Sequence, residues 1–439
     1  MTALCVFGTT GDILPIIRFA KRHAARLGAI VVITHDNLLP LVAAAEIRGI
    51  GIPLVTDSRT RSTEQKALVD ALKHLHLISP LRVIGCNLFA LEAFAIAEML
   101  RIPCFALSTF AVAADFPPPH SFMSHLPRSF FETLNLHSAW LASIKHYLWR
   151  VFLDDNGHFR QSMLNLAPFP QFDLSKPPPP LFYLIDECLL NLTTVPVILF
   201  PDSVIVSGPC HELFDRSLQN SLLLLFKQFP ELQNFLDEQK MCNRKIIHIG
   251  FGSMDVLHPI LANEFDAVSA IYEMFLEALL STNTAAVWII TEDCRAAIHK
   301  LKSNSRLLIL RGVISHADLF NSGIICASIN HGGLGTISEV LRFGLKQIIA
   351  PFLFDQRVWA ERLENIGCAK IVSDDIDSVN VGEMIFLIRW SCLPIERELA
   401  TEFEKWKNSG TMFCPDKVDI ALQNLLLESG DITPPEFDD

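Results

Sequence analysis

The chain has 439 residues, half of them hydrophobic, and a formal net charge of −12. That length exceeds one ordinary hydrophobic core and predicts two domains. Its Lys and Arg are scattered and form no basic stripe interleaved with aromatics, which speaks against nucleic acid as a partner. Eleven cysteines carry no C-x-x-C and no close pair in the sequence. Reduced thiols packed as small hydrophobes, in a reducing compartment, are therefore expected, with neither a zinc site nor a disulfide framework. The first residues lack a basic stretch and a cleavage pattern, so no signal peptide is expected. The most apolar windows, 83–101 and 181–200, are interrupted by Glu92, Glu98, Asp186 and Glu187, short of the roughly 20 unbroken apolar residues of a spanning helix. The expectation is a soluble, cytoplasmic protein, with peripheral membrane contact left open.

Residues 3–7 predict a strand that leads into Gly8-Thr9-Thr10-Gly11-Asp12 and a helical pattern over 13–27. Residues 29–34 predict a second strand, 38–48 a helix closed near Gly49, and 52–55 a third strand. A helix before Pro80, a short strand at 83–84, a helix over 90–100 and a strand at 103–107 continue the alternation. At this rhythm the sheet should be parallel. Residues 116–119 are proline-rich, and 121–166 are dense in Phe, Trp, Leu and His at helical spacing. Helices packed on the sheet, the wall of an apolar cavity, or both would account for that stretch. A four-proline run within 168–180 reads as irregular. Strands at 196–200 and 203–206 close the first half near Gly208-Pro209.

Residues 211–239 read as a helical connector of charged and apolar residues. The strand–helix rhythm restarts at 245–250, followed by Gly250-Phe251-Gly252-Ser253, a helix over 267–281, and strands at 286–291 and 307–310. The richest stretch is 324–369. A buried strand over 324–329 precedes His331-Gly332-Gly333-Leu334-Gly335-Thr336. Next come a helix with Ile337, Val340, Leu341 and Gly344 on one face, a strand at 347–351, and Asp355-Gln356. Late helices at 381–388, 395–409 and 418–427 precede an acidic tail. The predicted division is a Rossmann-like domain over 1–215, a linker over 216–243, a second Rossmann-like domain over 244–412, and a C-terminal helix and tail over 413–439. Ligands in such sheets bind outside the carboxyl ends of the strands. Two such domains facing an interdomain cleft would put one glycine turn on each wall.

Gly8-Thr9-Thr10-Gly11 alone fits a plain turn; it lacks the Lys-Ser/Thr of a P-loop and the third glycine of a dinucleotide fingerprint. Asp12 adds a carboxylate at a helix start, suited to capping or to accepting a proton from a hydroxyl at the sheet edge. His331, before three glycines in five residues, sets an imidazole and bare amides at a helix start, where a diphosphate could sit. Glu339 reads as a solvated helix charge or a ligand group, and Asp355-Gln356 as a cap or a ligand pair. Their joint occurrence at predicted strand ends favours the functional reading.

From His331 to Glu339, with Gly344, Pro351 and Asp355-Gln356, the sequence resembles the donor signature of the family 1 nucleotide-sugar-dependent glycosyltransferases. Residues Gly8 to Pro15 are similar to the N-terminal G-x-x-G-D-x-x-P of the sterol glucosyltransferases and of the glycosyltransferases of bacterial glycopeptide and macrolide pathways. Thr34-His35, the Ile96–Pro103 stretch, His248 to Met254 and Ser315 to Phe320 fit that branch. The resemblance implies an α/β GT-B fold and inverting transfer of a hexose, glucose first, from a UDP-sugar to a hydroxyl of a hydrophobic acceptor such as a sterol, lipid or polyketide-like molecule. It implies Asp12 as general base, and Ser253, His331, Gly333, Gly335 and Thr336 on the diphosphate. Glu339 would bind the ribose, and Asp355 and Gln356 the sugar hydroxyls. Gly11, His35, Phe131 and Trp140 would line the acceptor. Where the plant branch has a tryptophan stacking on uracil, this chain has Val313, so base contacts fall to backbone and nearby apolar groups, and a dTDP-sugar stays open. Asn330 stands where the sterol branch usually has a second histidine.

The nucleotide sugar is a co-substrate, and no cofactor is expected. The acidic run at Asp374-Asp375 in the donor half falls in an expected surface loop and is not read as an Asp-x-Asp-type metal motif, and amides, a helix dipole and a histidine can hold a diphosphate without a metal. Two other classes stay open. One is a nucleotide-sugar epimerase or hydrolase of GT-B-like fold, against which the aromatic stretch weighs. The other is an inactive nucleotide-sugar-binding protein, against which the intact Asp12, His331, Glu339 and Asp355-Gln356 weigh.

Overall fold

Short runs of Val, Ile, Leu and Cys, each closed by a turn residue, become the strands of two wholly parallel sheets. The computed structural model describes residues 1–54, 61–110, 156–167, 179–185, 189, 204–208, 218–252, 265–290, 301–312, 314–352, 355–373, 376, 379–409 and 415–428. They belong to two compact units, Met1–Glu212 with Met412–Asp439, and Leu213–Thr411.

The chain begins with β1 (Thr2–Cys5), α1 (Thr10–Arg22), α2 (Ala24–Leu27), β2 (Ile30–His35), α3 (Leu39–Ala44) and β3 (Arg48–Ile52). It continues with α4 (Arg61–Ile78), β4 (Val83–Asn87), α5 (Glu92–Leu100), β5 (Cys104–Ser108), α6 (Asn156–Leu164), β6 (Leu181–Tyr183) and β7 (Val204–Val206). The strand order is β3-β2-β1-β4-β5-β6-β7, so the direction of winding reverses at β1 and β4. Such a reversal is where open parallel sheets bind ligands. The face of α1 carrying Ile13, Ile16, Ile17, Phe19 and Ala20 packs on Leu4, Val6 and Val32. The spacing of those residues is what makes the segment amphipathic.

The third strand starts earlier than expected, at Arg48 rather than 52. The preceding helix stops at Ala44, and Glu46 takes a left-handed φ of 59°. The strand then runs close beneath α3. A Cβ on Gly49 would come within 2.8 Å of Leu39, and one on Gly51 within 1.9 Å of the Asp36 carboxylate. These glycines permit a close approach; they do not end the helix. β6 was not expected: it is only three residues long and follows the proline run. The expected strand at 196–200 lies outside the described residues.

The second unit opens with α7 (Leu218–Gln228) and α8 (Pro230–Met241), followed by β8 (Lys245–Gly250), α9 (Phe265–Thr282), β9 (Thr284–Ile290) and β10 (Leu307–Arg311). Then come α10 (His316–Asn321), β11 (Ile325–Asn330), α11 (Leu334–Arg342), β12 (Lys346–Ile349), α12 (Gln356–Asn365), β13 (Ala369–Ile371), α13 (Val381–Ser391) and α14 (Arg397–Ser409). The order β10-β9-β8-β11-β12-β13 reverses at β8 and β11. Along β9 the period of two is plain. Ala286, Trp288 and Ile290 enter one core with α9 and α13, while Ala285, Val287 and Ile289 enter another with α7 and α8. Leu225, Phe229, Leu232 and Phe235 thus make α7 and α8 part of the second unit's core.

The last helix, α15 (Pro415–Glu428), belongs to the first unit. Its Val418, Leu422, Leu425 and Leu426 join the core that holds Ile13 and Phe19. Asp419 meets His23 Nδ1 at 3.0 Å and Arg26 at 3.6 Å. Burying four such side chains contributes about 1.5–3 kcal/mol each. Among the described residues no helix is long and apolar enough to cross a membrane.

Candidate functional site

In the first unit the candidate side chains gather at the carboxyl ends of β1, β4 and β5. Beyond β1 the backbone turns at Gly8, with φ +112°. A Cβ there would fall 2.4 Å from Asp12 Oδ2 and 3.2 Å from the Phe89 ring. Gly8 is therefore required twice, by its backbone angle and by its neighbours. Asp12 is the third residue of α1. Its Oδ2 accepts from the Thr9 amide at 2.8 Å and from Thr9 Oγ1 at 3.0 Å. Its Oδ1 accepts from Thr109 Oγ1 at 3.1 Å. Three donors fix the carboxylate's plane. Burial nevertheless raises its pKa above the ordinary aspartate value, opposed by the bonds from Thr9 and Thr109. The result is a half-buried, oriented carboxylate with enhanced proton affinity.

Sequence reasoning missed what surrounds Asp12. Thr109 follows β5, and Phe89 follows β4. Phe110 packs on Phe89 with ring centroids 5.6 Å apart. Buried Asn87 donates to the Phe7 carbonyl at 2.7 Å and accepts from the Phe7 amide at 3.1 Å, tying the end of β1 to β4. Only the sheet order brings these residues beside Asp12, and no local pattern marks them. Gly11 is exposed at the second position of α1, and a Cβ there would make only ordinary contact, 3.6 Å from Thr9 Oγ1. His35 is buried at the end of β2, stacked on Phe7 at 4.5 Å, with Nε2 3.0 Å from Glu64 Oε2. Phe131 and Trp140 lie outside the described residues.

In the second unit the turn after β11 is shaped by a buried amide. Asn330 Oδ1 accepts from the Gly332 amide at 2.9 Å, and its Nδ2 donates to Gln347 Oε1 at 3.1 Å and Ser328 Oγ at 3.2 Å. Ser328 Oγ in turn meets His248 Nδ1 at 2.9 Å. One network thus joins β8, β11 and β12 under the turn and holds Gly332 at φ +84°. A side chain at Gly332 would press on Ile349 at 2.9 Å and on the Gln356 carbonyl at 3.2 Å.

The His331 ring lies against two glycine backbones. A Cβ on Gly333 would be 2.4 Å from Nε2, and one on Gly252 would be 3.3 Å from Cε1. Nδ1 is buried with no hydrogen-bond partner among the described residues, a state that ordinarily costs about 1–3 kcal/mol. Burial, together with His316, pushes the His331 pKa down to about 4, so the ring is neutral at physiological pH. His316 and His248 are lowered too, both chiefly by burial.

Gly333 is the N-cap of α11 and supplies no side-chain cap, which leaves the first-turn amides to other partners. Gly335, exposed at the second helical position, has open space where a Cβ would be. Thr336 and Glu339 are buried on the same helix, and Glu339 lies 4.0 Å from Arg342. Asp355 caps α12 and accepts from Trp359 Nε1 at 2.5 Å, while Gln356 Oε1 accepts from the Phe352 amide at 2.8 Å. The structure brings His331, Gly333, Gly335, Thr336 and the start of α12 to the carboxyl edge of one sheet, at its reversal. Ser253 and Val313 lie outside the described residues. No cluster of three His, Cys, Asp or Glu side chains suited to a metal occurs among the described residues.

No family model matches the chain. Among characterised proteins it is 26% identical, over 392 residues, to the sterol 3-beta-glucosyltransferase of Saccharomyces cerevisiae (strain YJM789), covering 83% of this chain and 30% of that protein. It is 25% identical over 398 residues to the sterol 3-beta-glucosyltransferase of Pichia angusta, covering 84% and 29%. The chain thus spans about 30% of the length of these relatives. Among solved structures, the glycotransferase of kitacinnamycin aligns with a TM-score of 0.61 at 14% identity, over 97% of both chains. CalG4, the calicheamicin glycosyltransferase, aligns with a TM-score of 0.60 at 11% identity, over 98% of this chain and 99% of that one.

Proposed function

Taking as premise that the fold is GT-B and that these relatives support a family 1 glycosyltransferase, we propose that the chain is an inverting transferase moving a hexose, glucose first, from a UDP-sugar to a hydroxyl of a hydrophobic acceptor. The acceptor class is a sterol or another apolar alcohol. The observation that carries the proposal is the state of Asp12: half-buried, oriented by three donors, and raised in pKa at the reversal of its sheet.

In this reading Asp12 takes the proton of the acceptor hydroxyl as that oxygen attacks the anomeric carbon. A single displacement inverts the centre. An ordinary aspartate is a weak base, so desolvation is what suits this one to the role. Phe89 and Phe110 offer apolar surface beside it. On the donor side, negative charge grows on the leaving diphosphate. The uncapped amides at the start of α11, the open approach over Gly335 and the neutral His331 suit that charge. Glu339 binds the ribose, and Asp355 and Gln356 bind the sugar hydroxyls. The nucleotide base rests on backbone and apolar groups around Val313, with dTDP-sugars as competitors. The reading uses no cofactor and no metal, so turnover should survive EDTA; strict dependence on Mg²⁺ would contradict it.

The test is a thermal-shift screen of nucleotide sugars, followed by mass detection of product on a panel of sterols and other apolar alcohols. A ligand at a hundred times its Kd stabilises by about 2.7 kcal/mol. The proposal is lost if no nucleotide sugar stabilises the protein, or if a bound donor is never transferred to any apolar alcohol.

A further inference from the structure

The amino ends of β8, β11 and β12, the sheet edge opposite the glycine turns, carry Lys245, Cys326 and Lys346. Cys326 sits at an irregularity in the ladder. Ile325 pairs with Ile246 and Ala327 with Ile247, so Cys326 has no partner across β8. A bulge of this kind re-aims the extra residue's side chain. Here Sγ comes to 3.7 Å from Sγ of Cys392, the residue that ends α13, 66 positions later in sequence. Both cysteines are half-buried. Lys245 Nζ donates to the Cys392 carbonyl at 2.5 Å, and Lys346 Nζ donates to the carbonyls of Pro394 and Leu393 at 3.4 and 3.5 Å. Two ammonium groups thus hold the segment that carries Cys392. Sequence spacing gave no sign of this pair.

We propose that Cys326 and Cys392 form a redox site that hydroperoxides convert to an intramolecular disulfide. Cys392 is the attacking thiol. The hydrogen bond from Cys326, another from Ser391 and the charges of Lys245 and Lys346 bring its pKa down to about 7 against the effect of burial. Glu396 acts on Lys346 from the following segment. Cys326, held protonated, is the resolving thiol. In the first step the Cys392 thiolate attacks the distal peroxide oxygen. An S–O bond forms, the O–O bond breaks, and the departing oxygen takes a proton and leaves as an alcohol or water. In the second, Cys326 attacks the sulfenic sulfur, the S–S bond forms, and the sulfenic oxygen leaves as water with the Cys326 proton. Two thiols lose two electrons and one hydroperoxide gains them. Closing from 3.7 Å to a bond of about 2 Å asks only for a small shift in a bulged strand end and a helix terminus. The contrast lies in the first unit, where Cys5, Cys86 and Cys104 are buried on adjacent strands. Burial pushes the thiols of Cys5 and Cys104 well up, which keeps those two protonated and inert.

The test treats the reduced full chain with hydrogen peroxide at pH 7, alkylates the remaining thiols, and maps peptides without reduction. The expected product is a Cys326–Cys392 cross-linked peptide that dithiothreitol reverses. Thiolate fraction favours Cys392 over an ordinary solution thiol, and lower intrinsic nucleophilicity offsets part of this, leaving roughly a threefold rate advantage. Cys326→Ser should trap Cys392 as a dimedone-reactive sulfenic acid, and Cys392→Ser should leave Cys326 reduced. Lys245→Gln with Lys346→Gln should slow the first step severalfold. Recovery of both cysteines in alkylated form after other thiols have oxidised would overturn the proposal, as would undiminished Cys326 oxidation in Cys392→Ser.

Discussion

Thr109→Val probes the Asp12 environment most sharply. The substitution keeps the shape of residue 109 and deletes a hydroxyl that donates to Asp12 Oδ1, at 3.1 Å. The two bonds from Thr9 to Oδ2 stay. A hydrogen bond to a charged acceptor contributes about 1.5 kcal/mol, and 1.36 kcal/mol corresponds to about one pH unit. The sign follows from which form the bond favours. Thr109 donates to the carboxylate and lowers its pKa, while burial raises it. Removing the bond lets burial act with less opposition, so the Asp12 pKa rises further. A base must be deprotonated to act, so the acid limb of kcat/KM should move up by about one pH unit. At pH values below that limb the variant should be roughly tenfold slower than wild type, and above it the two should converge. UDP binding by calorimetry should be unchanged, because the proposal places no donor contact at residue 109. An acid limb that does not move, in a folded variant with normal UDP affinity, would remove Asp12 from the role of base or Thr109 from contact with it.

Asp12→Asn should abolish transfer, retain donor binding and raise the melting temperature near pH 7. A carboxyl whose folded pKa is raised contributes stability below its unfolded pKa and loses it as pH climbs through the folded value. A neutral amide escapes that loss; unchanged turnover or a lower melting temperature would refute the account. His331→Ala should weaken UDP binding by about 1–3 kcal/mol, or about 5- to 150-fold. The wild-type His331, near pKa 4 when folded against an ordinary value of 6.5, should also cost stability as pH falls from 6.5 toward 4, because the unfolded chain binds the proton first. His331→Gln should flatten that part of a urea-unfolding series. Gly335→Ala should stabilise the fold by about 0.5–1 kcal/mol, since it is a helical position with free space, yet weaken UDP binding. Equal affinity would show that no ligand approaches the backbone there.

How much of this was legible in the sequence differs between parts of the site. The glycine turns could be read because their signal is local. A buried strand, a glycine and a polar side chain at a helix start occur within ten residues, as from Ile325 to Leu334. Thr109, Phe89 and Asn87 could not be read, since they reach Asp12 only through the pairing of β1 with β4 and β4 with β5. Asn330 appeared in the sequence only as a substitution for histidine. Its work, fixing Gly332 and bonding Gln347, depends on the register between β11 and β12. His35 was read only as following a strand, and its partners Glu64 and Phe7 come from other segments of the chain. The β3 boundary slipped because glycines that permit close packing look, in sequence, like glycines that end a helix.

The helix at residues 415–428 has a consequence for biosynthesis. Its Val418, Leu422, Leu425 and Leu426 complete the core around Ile13 and Phe19, so the core of the unit translated first is filled only once residues near 425 have emerged. The unit spanning 213–411 is contiguous and can mature earlier. For the duration of its translation, the older half of the chain carries an unfilled apolar slot. A nascent-chain binder would find it there, and a stop codon before 415 would leave it open for good.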